Sequence, residues 1–207
     1  APVMESSLIK DGDIIGGDNK IFRILVSDND KLDMVSVSYK IGESSDKKLL
    51  FQETELNCRE KLLEKTLPVA QWADGEKITF SVTITDKAGH TTVCSDIECT
   101  VDTTAPEIIS FKASEQKESV LLTWIGKQEK DLKEYQIYRK TIEGKYVFIN
   151  TVTADDSEEY TYEDHEAKQG ETYVYKIKAC DNVGNFSEKE SENIWRKNKV
   201  SIHAVLS

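Results

Sequence analysis

The chain has 207 residues, with 27 Lys and Arg against 38 Asp and Glu and a formal net charge of −11. Such an acidic chain excludes nucleic acid and anionic lipid as principal partners, since both are held by positive surface. No apolar run approaches the roughly 20 residues that span a bilayer, and 31% charged with 38% hydrophobic residues is the mix of a globular chain. At about 100 residues per small sandwich, the length suits two tandem domains. The chain begins Ala1-Pro2, with neither an initiator methionine nor a signal peptide, and is read as a piece of a longer processed protein.

In chain order, turn clusters at Asp11-Gly12-Asp13 and Gly16-Gly17-Asp18-Asn19 precede a strand carrying Phe22, Ile24 and Val26. After Asp28-Asn29-Asp30, a second strand alternates Val35, Val37, Tyr39 and Ile41 with Ser36, Ser38 and Lys40. Residues 53–66 fit neither a helical nor a strand period well and are read as a strand-rich insertion. Trp72 is expected to cover an open end of the first core. Beyond Asp74-Gly75, Ile78, Phe80, Val82 and Ile84 alternate with threonine and serine, the pattern of a half-buried antiparallel strand. Ile97, Cys99 and Val101 give the next strand. In the second half, Val120, Leu122 and Trp124 share one strand face, Tyr135 and Ile137 another, and Tyr173, Tyr175, Ile177 and Ala179 a third. The segment Asp131-Leu132-Lys133-Glu134 is read as the loop between the first two of these.

The chain repeats itself. Residues 75–90 read GEKITFSVTITDKAGH and residues 170–185 read GETYVYKIKACDNVGN. Each runs Gly-Glu, an alternating strand, then Asp-x-x-Gly, and Asp86 and Asp181 are one sandwich-length apart. Ala1-Pro2 and Ala105-Pro106 open the two halves in the same style, so the parent protein is expected to carry a further module upstream. The expected divisions are 1–103, 104–198 and a tail at 199–207.

VLLTWIGKQEKDLKEYQIYRK and YEDHEAKQGETYVYKIKACDNVGNFSE make residues 106–195 resemble a fibronectin type III domain. The resemblance implies that Trp124 is the core tryptophan, that Tyr135 opens the third strand and that Tyr173 is the corner tyrosine. Ala167 stands where that family usually has leucine. VSDNDKLDMVSVSYKI and SVTITDKAGH, with the junction VDTTAPEI, make the first half resemble bacterial Ig-like domains of secreted and cell-surface proteins. Together they imply an all-β pair of tandem immunoglobulin-like and fibronectin type III-like antiparallel sandwiches. The function implied is a spacer, an adhesion stalk or an accessory module, by analogy of fold.

Motifs of catalysis are missing from the sequence. There is no H-E-x-x-H, G-x-S-x-G, phosphate loop or G-x-G-x-x-G, and the chain is expected not to be an enzyme. His90, His165 and His203 are scattered surface histidines without ligand spacing. Calcium is the one cofactor considered: Asp28, Asp30 and Asp33 crowd one loop, and Asp86 and Asp102 lie near strand ends, although none fits an EF-hand loop and aspartate is an ordinary turn former. The two Asp-x-x-Gly segments are read as hairpin turns with glycine in a left-handed conformation. Tyr138, Tyr146, Phe148 and Phe186 are candidate ligand-contact aromatics for a glycan platform, against the plainer reading of strand-forming residues. Cys58, Cys94, Cys99 and Cys180 admit three pairings, and no structural disulfide is expected, since a full apolar core does not require one.

The sequence thus predicts a non-catalytic extracellular spacer or interaction module, secreted or at the cell surface, within a larger bacterial protein. The alternatives are an adhesion or glycan- or protein-binding module, or accessory domains of a secreted glycosidase or toxin-like protein. Expected partners are neighbouring domains of the same polypeptide, and after them a host protein or glycan. The chain is expected to be a monomer, and the run Arg196-Lys197-Asn198-Lys199 to lead from the last strand into a disordered tail.

Overall fold

Successive side chains of an extended chain point to opposite faces, so alternating apolar residues bury one face and leave the other to water. The computed structural model describes residues 1–18 and 20–198, the side chains of Ser95 and Asp96 excepted, so the expected tail at 199–207 and His203 lie outside the described residues. The chain divides into two compact units, Ala1–Thr104 and Ala105–Ser207.

The first unit comprises β1 (Val3–Ser7), β2 (Ile14–Ile15), β3 (Ile21–Ser27), β4 (Leu32–Ile41), β5 (Lys48–Glu53), β6 (Glu60–Thr66), β7 (Lys77–Asp86) and β8 (Thr91–Val101). One sheet has the order β1-β3-β6 and the other β2-β8-β7-β4-β5. Phe22, Ile24 and Val26 of β3 and Leu63 of β6 meet Val35, Val37, Ile78, Phe80, Val82 and Ile84 in one buried cluster. The Phe22 and Phe80 rings are 4.9 Å apart. Trp72 follows a 3-10 turn at Val69–Gln71 and packs edge-on against Tyr39 at 5.4 Å.

Four features differ from the sequence reading. Residues 53–66 are not an insertion: Glu53 ends β5, and β6 pairs antiparallel with β3 from Glu60↔Ser27 to Thr66↔Ile21. Its period is masked because β6 buries only Leu63 fully, while Leu62 points outward. The short strands β1 and β2 had no periodic signal, and β2 runs parallel to β8. Thr79 and Ser81 are buried on the outer face of β7, which lies between β8 and β4. In the second unit, Leu132-Lys133-Glu134 is strand, not loop.

That unit comprises β9 (Ile108–Glu115), β10 (Val120–Gly126), β11 (Leu132–Thr141), β12 (Val147–Thr153), β13 (Tyr160–Asp164), β14 (Thr172–Asp181), β15 (Phe186–Glu190) and β16 (Ile194–Trp195). One sheet has the order β13-β10-β9 and the other β12-β11-β14-β15, with β16 pairing the first residues of β14. Trp124, Tyr135 and Tyr160 form the aromatic centre, with centroids 4.9–5.8 Å apart. Each such pair adds about 0.5–1.5 kcal/mol beyond burial alone.

Candidate functional site

Each unit ends its central strand on a buried aspartate at inward parity, Asp86 on β7 and Asp181 on β14. Asp86 Oδ1 accepts the His90 N–H at 2.8 Å, and its Oδ2 lies 2.8 Å from His90 Nδ1. Asp181 Oδ1 accepts the N–H groups of Val183, Gly184 and Asn185 at 2.6–2.9 Å. Gly89 and Gly184 have φ of 88° and 105°, the backbone these turns need and the one glycine adopts without a Cβ clash. Burial alone raises the Asp86 pKa, but the side-chain and backbone hydrogen bonds from His90 outweigh it and hold the carboxyl below its usual value.

Beyond each turn, a hydroxyl holds the incoming chain. Thr92 Oγ1 donates to the Pro2 carbonyl at 2.6 Å, and Ser187 Oγ donates to the Pro106 carbonyl. The outgoing chain is held at the other end of the same central strand. In the first unit Val101 N–H donates to Glu76 O and Gly75 N–H to Val101 O, both at 2.8 Å. In the second, Ile194 and Trp195 pair with Tyr173 and Thr172. Each unit is therefore threaded pole to pole along a central strand of 10 residues, about 30 Å at the strand rise.

A buried polar network braces the second unit. Asp164, 3% exposed at its side chain, accepts two bonds from Arg139 Nη1 at 2.7 and 2.9 Å and one from the Tyr175 hydroxyl at 2.8 Å. Burial and the adjoining carboxylate push the Tyr175 phenol well above its usual range. Arg196, almost fully buried, donates to the carbonyls of Ala167, Gln116 and Ser119. The sequence reading missed these groups, although the signal was there. Arg139 continues the inward parity of Tyr135 and Ile137, and Asp164 that of Tyr160, so two charges pointing into one core require each other.

Each aspartate considered for calcium except Asp30 makes a local contact through its side chain. Asp28 Oδ1 accepts the Asp30 N–H at 2.8 Å, Asp33 pairs with Lys87, Asp86 caps its own turn, and Asp102 accepts the Thr104 N–H at 3.0 Å. Among the described residues, no three of Asp28, Asp30, Asp33, Asp86 and Asp102 bring carboxylate oxygens within 4.8 Å of one another.

The candidate aromatics do share a region of the β12-β11-β14-β15 sheet, but with lysines over their rings. Lys176 Nζ stands 5.3 Å from the Tyr138 centroid and 4.8 Å from that of Tyr146. Lys140 covers Tyr146 at 4.6 Å and Lys178 covers Phe186 at 3.7 Å. A sugar stacking on those faces must displace an ammonium group. Phe148 packs edge-on against Tyr138 and lines a cavity of about 400 Å³ with Tyr162 and His165. The side chains of His90 and His165 are mostly exposed, and the four cysteines are free thiols.

Solved structures match this architecture. The FN1-FN3 domains of chicken CNTN1 superpose with a TM-score of 0.55 at 12% identity, over 90% of this chain and 66% of that one. The fibronectin(III)-like modules of Clostridium thermocellum CbhA give 0.50 at 13% identity, over 95% of this chain and 94% of that one. The chain is a tandem of fibronectin type III-like and immunoglobulin-like sandwiches. It spans just under two thirds of the CNTN1 structure. No protein-family model and no curated protein matches the sequence. In the second unit, Tyr173 Oη accepts the Lys168 N–H at 3.1 Å, the hydrogen bond of a tyrosine corner. Among the described residues no helix is long and apolar enough to cross a membrane.

Proposed function

We propose that this chain is a non-catalytic spacer within a larger bacterial protein, secreted or displayed at the cell surface, with neighbouring domains as its first partners. The observation that carries this reading is the pole-to-pole threading of each unit. A module entered at one end of its central strand and left at the other adds its full strand length to a stalk. A module whose ends meet adds almost nothing. The hydroxyl-to-proline bonds of Thr92 and Ser187 fix the direction of the incoming chain, and the fixed φ of proline stiffens that point. The thiols support a non-catalytic reading: burial pushes Cys99 up to about 11 and raises Cys180, the reverse of an activated nucleophile.

Single-molecule stretching of the 207-residue chain from its ends tests the spacer. Two discrete unfolding steps are expected, each releasing about 300 Å, from roughly 90–100 residues at up to 3.6 Å each less the folded length. Smooth extension without steps contradicts it. A second reading, adhesion to a host protein or glycan, is favoured by the cavity beside Phe148. A glycan and protein array with a binder tighter than about 1 mM, abolished by Phe148→Ala, supports that reading over a bare spacer.

A further inference from the structure

The outgoing end of β11 carries a second cavity, of about 320 Å³, in a different chemical setting. Arg139, Lys140, Lys145 and Lys168 line it, with Tyr173, and Glu171 supplies its one carboxylate. In a chain whose net charge is −11, four cations around one opening are a local reversal of sign. Among the described residues Lys140, Lys145 and Lys168 have no carboxylate within 4.0 Å, a state they share with many lysines of the chain; what sets them apart is that they gather around one opening. Arg139 spends only Nη1 on Asp164. Its Nε and Nη2 make no hydrogen bond among the described residues, in a side chain only 19% exposed. Guanidinium donors at a cavity wall are suited to the fork of a carboxylate, sulfate or phosphate. The Arg139 stem is itself held, its guanidinium 5.2 Å from the Tyr173 ring, so the donors are placed before any ligand arrives. The volume is at the small end of ligand sites, suiting one anionic group and its immediate neighbours.

We propose that this cavity, between the β11–β12 turn and the segment leading into β14, is an oxyanion-binding site that takes a single carboxylate, sulfate or phosphate group. Lys145 supplies charge from the β11–β12 turn and Lys168 from the segment leading into β14, and Arg139 supplies directed donors at the wall. Lys140 contributes charge while its ammonium group rests on Tyr146. A few half-solvated charge contacts support dissociation constants on the order of 1 mM for a simple ion.

The test is an NMR titration of the 207-residue chain at constant ionic strength, sodium sulfate replacing sodium chloride, with a uronic-acid disaccharide as the second arm. The site predicts saturable shifts confined to the amides of residues 139–147 and 168–173. It predicts a roughly tenfold weaker midpoint in Lys145→Gln/Lys168→Gln, and an unchanged midpoint in Lys87→Gln. Saturation by sulfate alone identifies a free-ion site, and tighter saturation by the disaccharide identifies a ligand-borne carboxylate. The charge-keeping Lys145→Arg/Lys168→Arg variant retains binding. Linear or chain-wide shifts with both ligands overturn the proposal. So does an unchanged midpoint in the folded glutamine variant, or loss of binding in the folded arginine variant.

Discussion

Replacing Asp164 with alanine tests whether the paired charges hold the second unit together. The carboxylate accepts two bonds from Arg139, one from the Tyr175 hydroxyl and one from the Glu166 N–H at 3.0 Å. Its loss strands a guanidinium that is 19% exposed and a fully buried phenol. Breaking a buried pair by removing one partner costs about 3–5 kcal/mol. Access to water through the cavities on either side of Arg139 puts this case at the lower end. The orphaned hydroxyl adds about 1–3 kcal/mol, for a total of about 4–6 kcal/mol. At roughly 4–8 °C per kcal/mol in a domain of this size, the unit melts at least about 15 °C lower. Scanning calorimetry of the whole chain reads this directly. The transition that also moves in Trp124→Phe belongs to the second unit and falls, while the other stays within about 2 °C, since mutations in separate cores do not couple. Tyr175→Phe, which leaves Asp164 and Arg139 paired, costs only about 1–2 kcal/mol. A loss below about 1.5 kcal/mol for Asp164→Ala, or a fall shared by both transitions, refutes the reasoning.

Three further outcomes follow from other groups. The depressed pKa of Asp86 means its carboxylate stabilises the first unit fully above the unfolded value of 3.8, and that contribution is lost as pH falls through the lower folded value. The urea midpoint of that unit therefore drops below about pH 4, and Asp86→Asn flattens the acid limb; an unchanged limb contradicts the assignment. A Cβ at Gly126 would lie 1.8 Å from the Tyr135 hydroxyl oxygen, so Gly126→Ala costs about 1–3 kcal/mol by overpacking. Among the described residues that buried hydroxyl has no hydrogen-bond partner, so Tyr135→Phe is close to neutral and the double variant recovers part of the loss in urea melts; simple additivity sinks the argument. The Cys99 thiol, pushed up to about 11, is alkylated slowest of the four cysteines at pH 8 as followed by mass spectrometry, and labelling as fast as Cys58 contradicts its burial.

The strands that build the two cores were legible because each places two to four apolar side chains on one face. Ile78, Phe80, Val82 and Ile84 leave no other economical burial, and Trp124 with Tyr135 did the same for the second unit. What stayed hidden had too few apolar residues to set a period. β6 contributes Leu63 alone to the buried core, and β2 is two residues long. Turn chemistry was readable from Asp86-x-x-Gly89 and Asp181-x-x-Gly184, since only the backbone of the same turn needs those groups. The basic cavity was not. Lys140 and Lys145 sit on the β11–β12 hairpin and Lys168 on the segment leading into β14, and only the fold places them around one opening. The aromatics offered for a glycan were found by strand parity, but parity says nothing of the lysines on neighbouring strands that cover them.

The threading of each sandwich is tested most directly by a spin-label distance across the second unit, with labels on exposed Glu107 and Lys197 and the native thiols replaced. Glu107 precedes β9 at the pole where Ser187 holds Pro106, and the Lys197 N–H reaches Glu115 at the far end of the same strand. Eight strand steps between them predict a separation of about 27 Å, widened by the label arms and narrow in distribution. A separation below about 20 Å would bring the two chain ends to one pole and contradict the account.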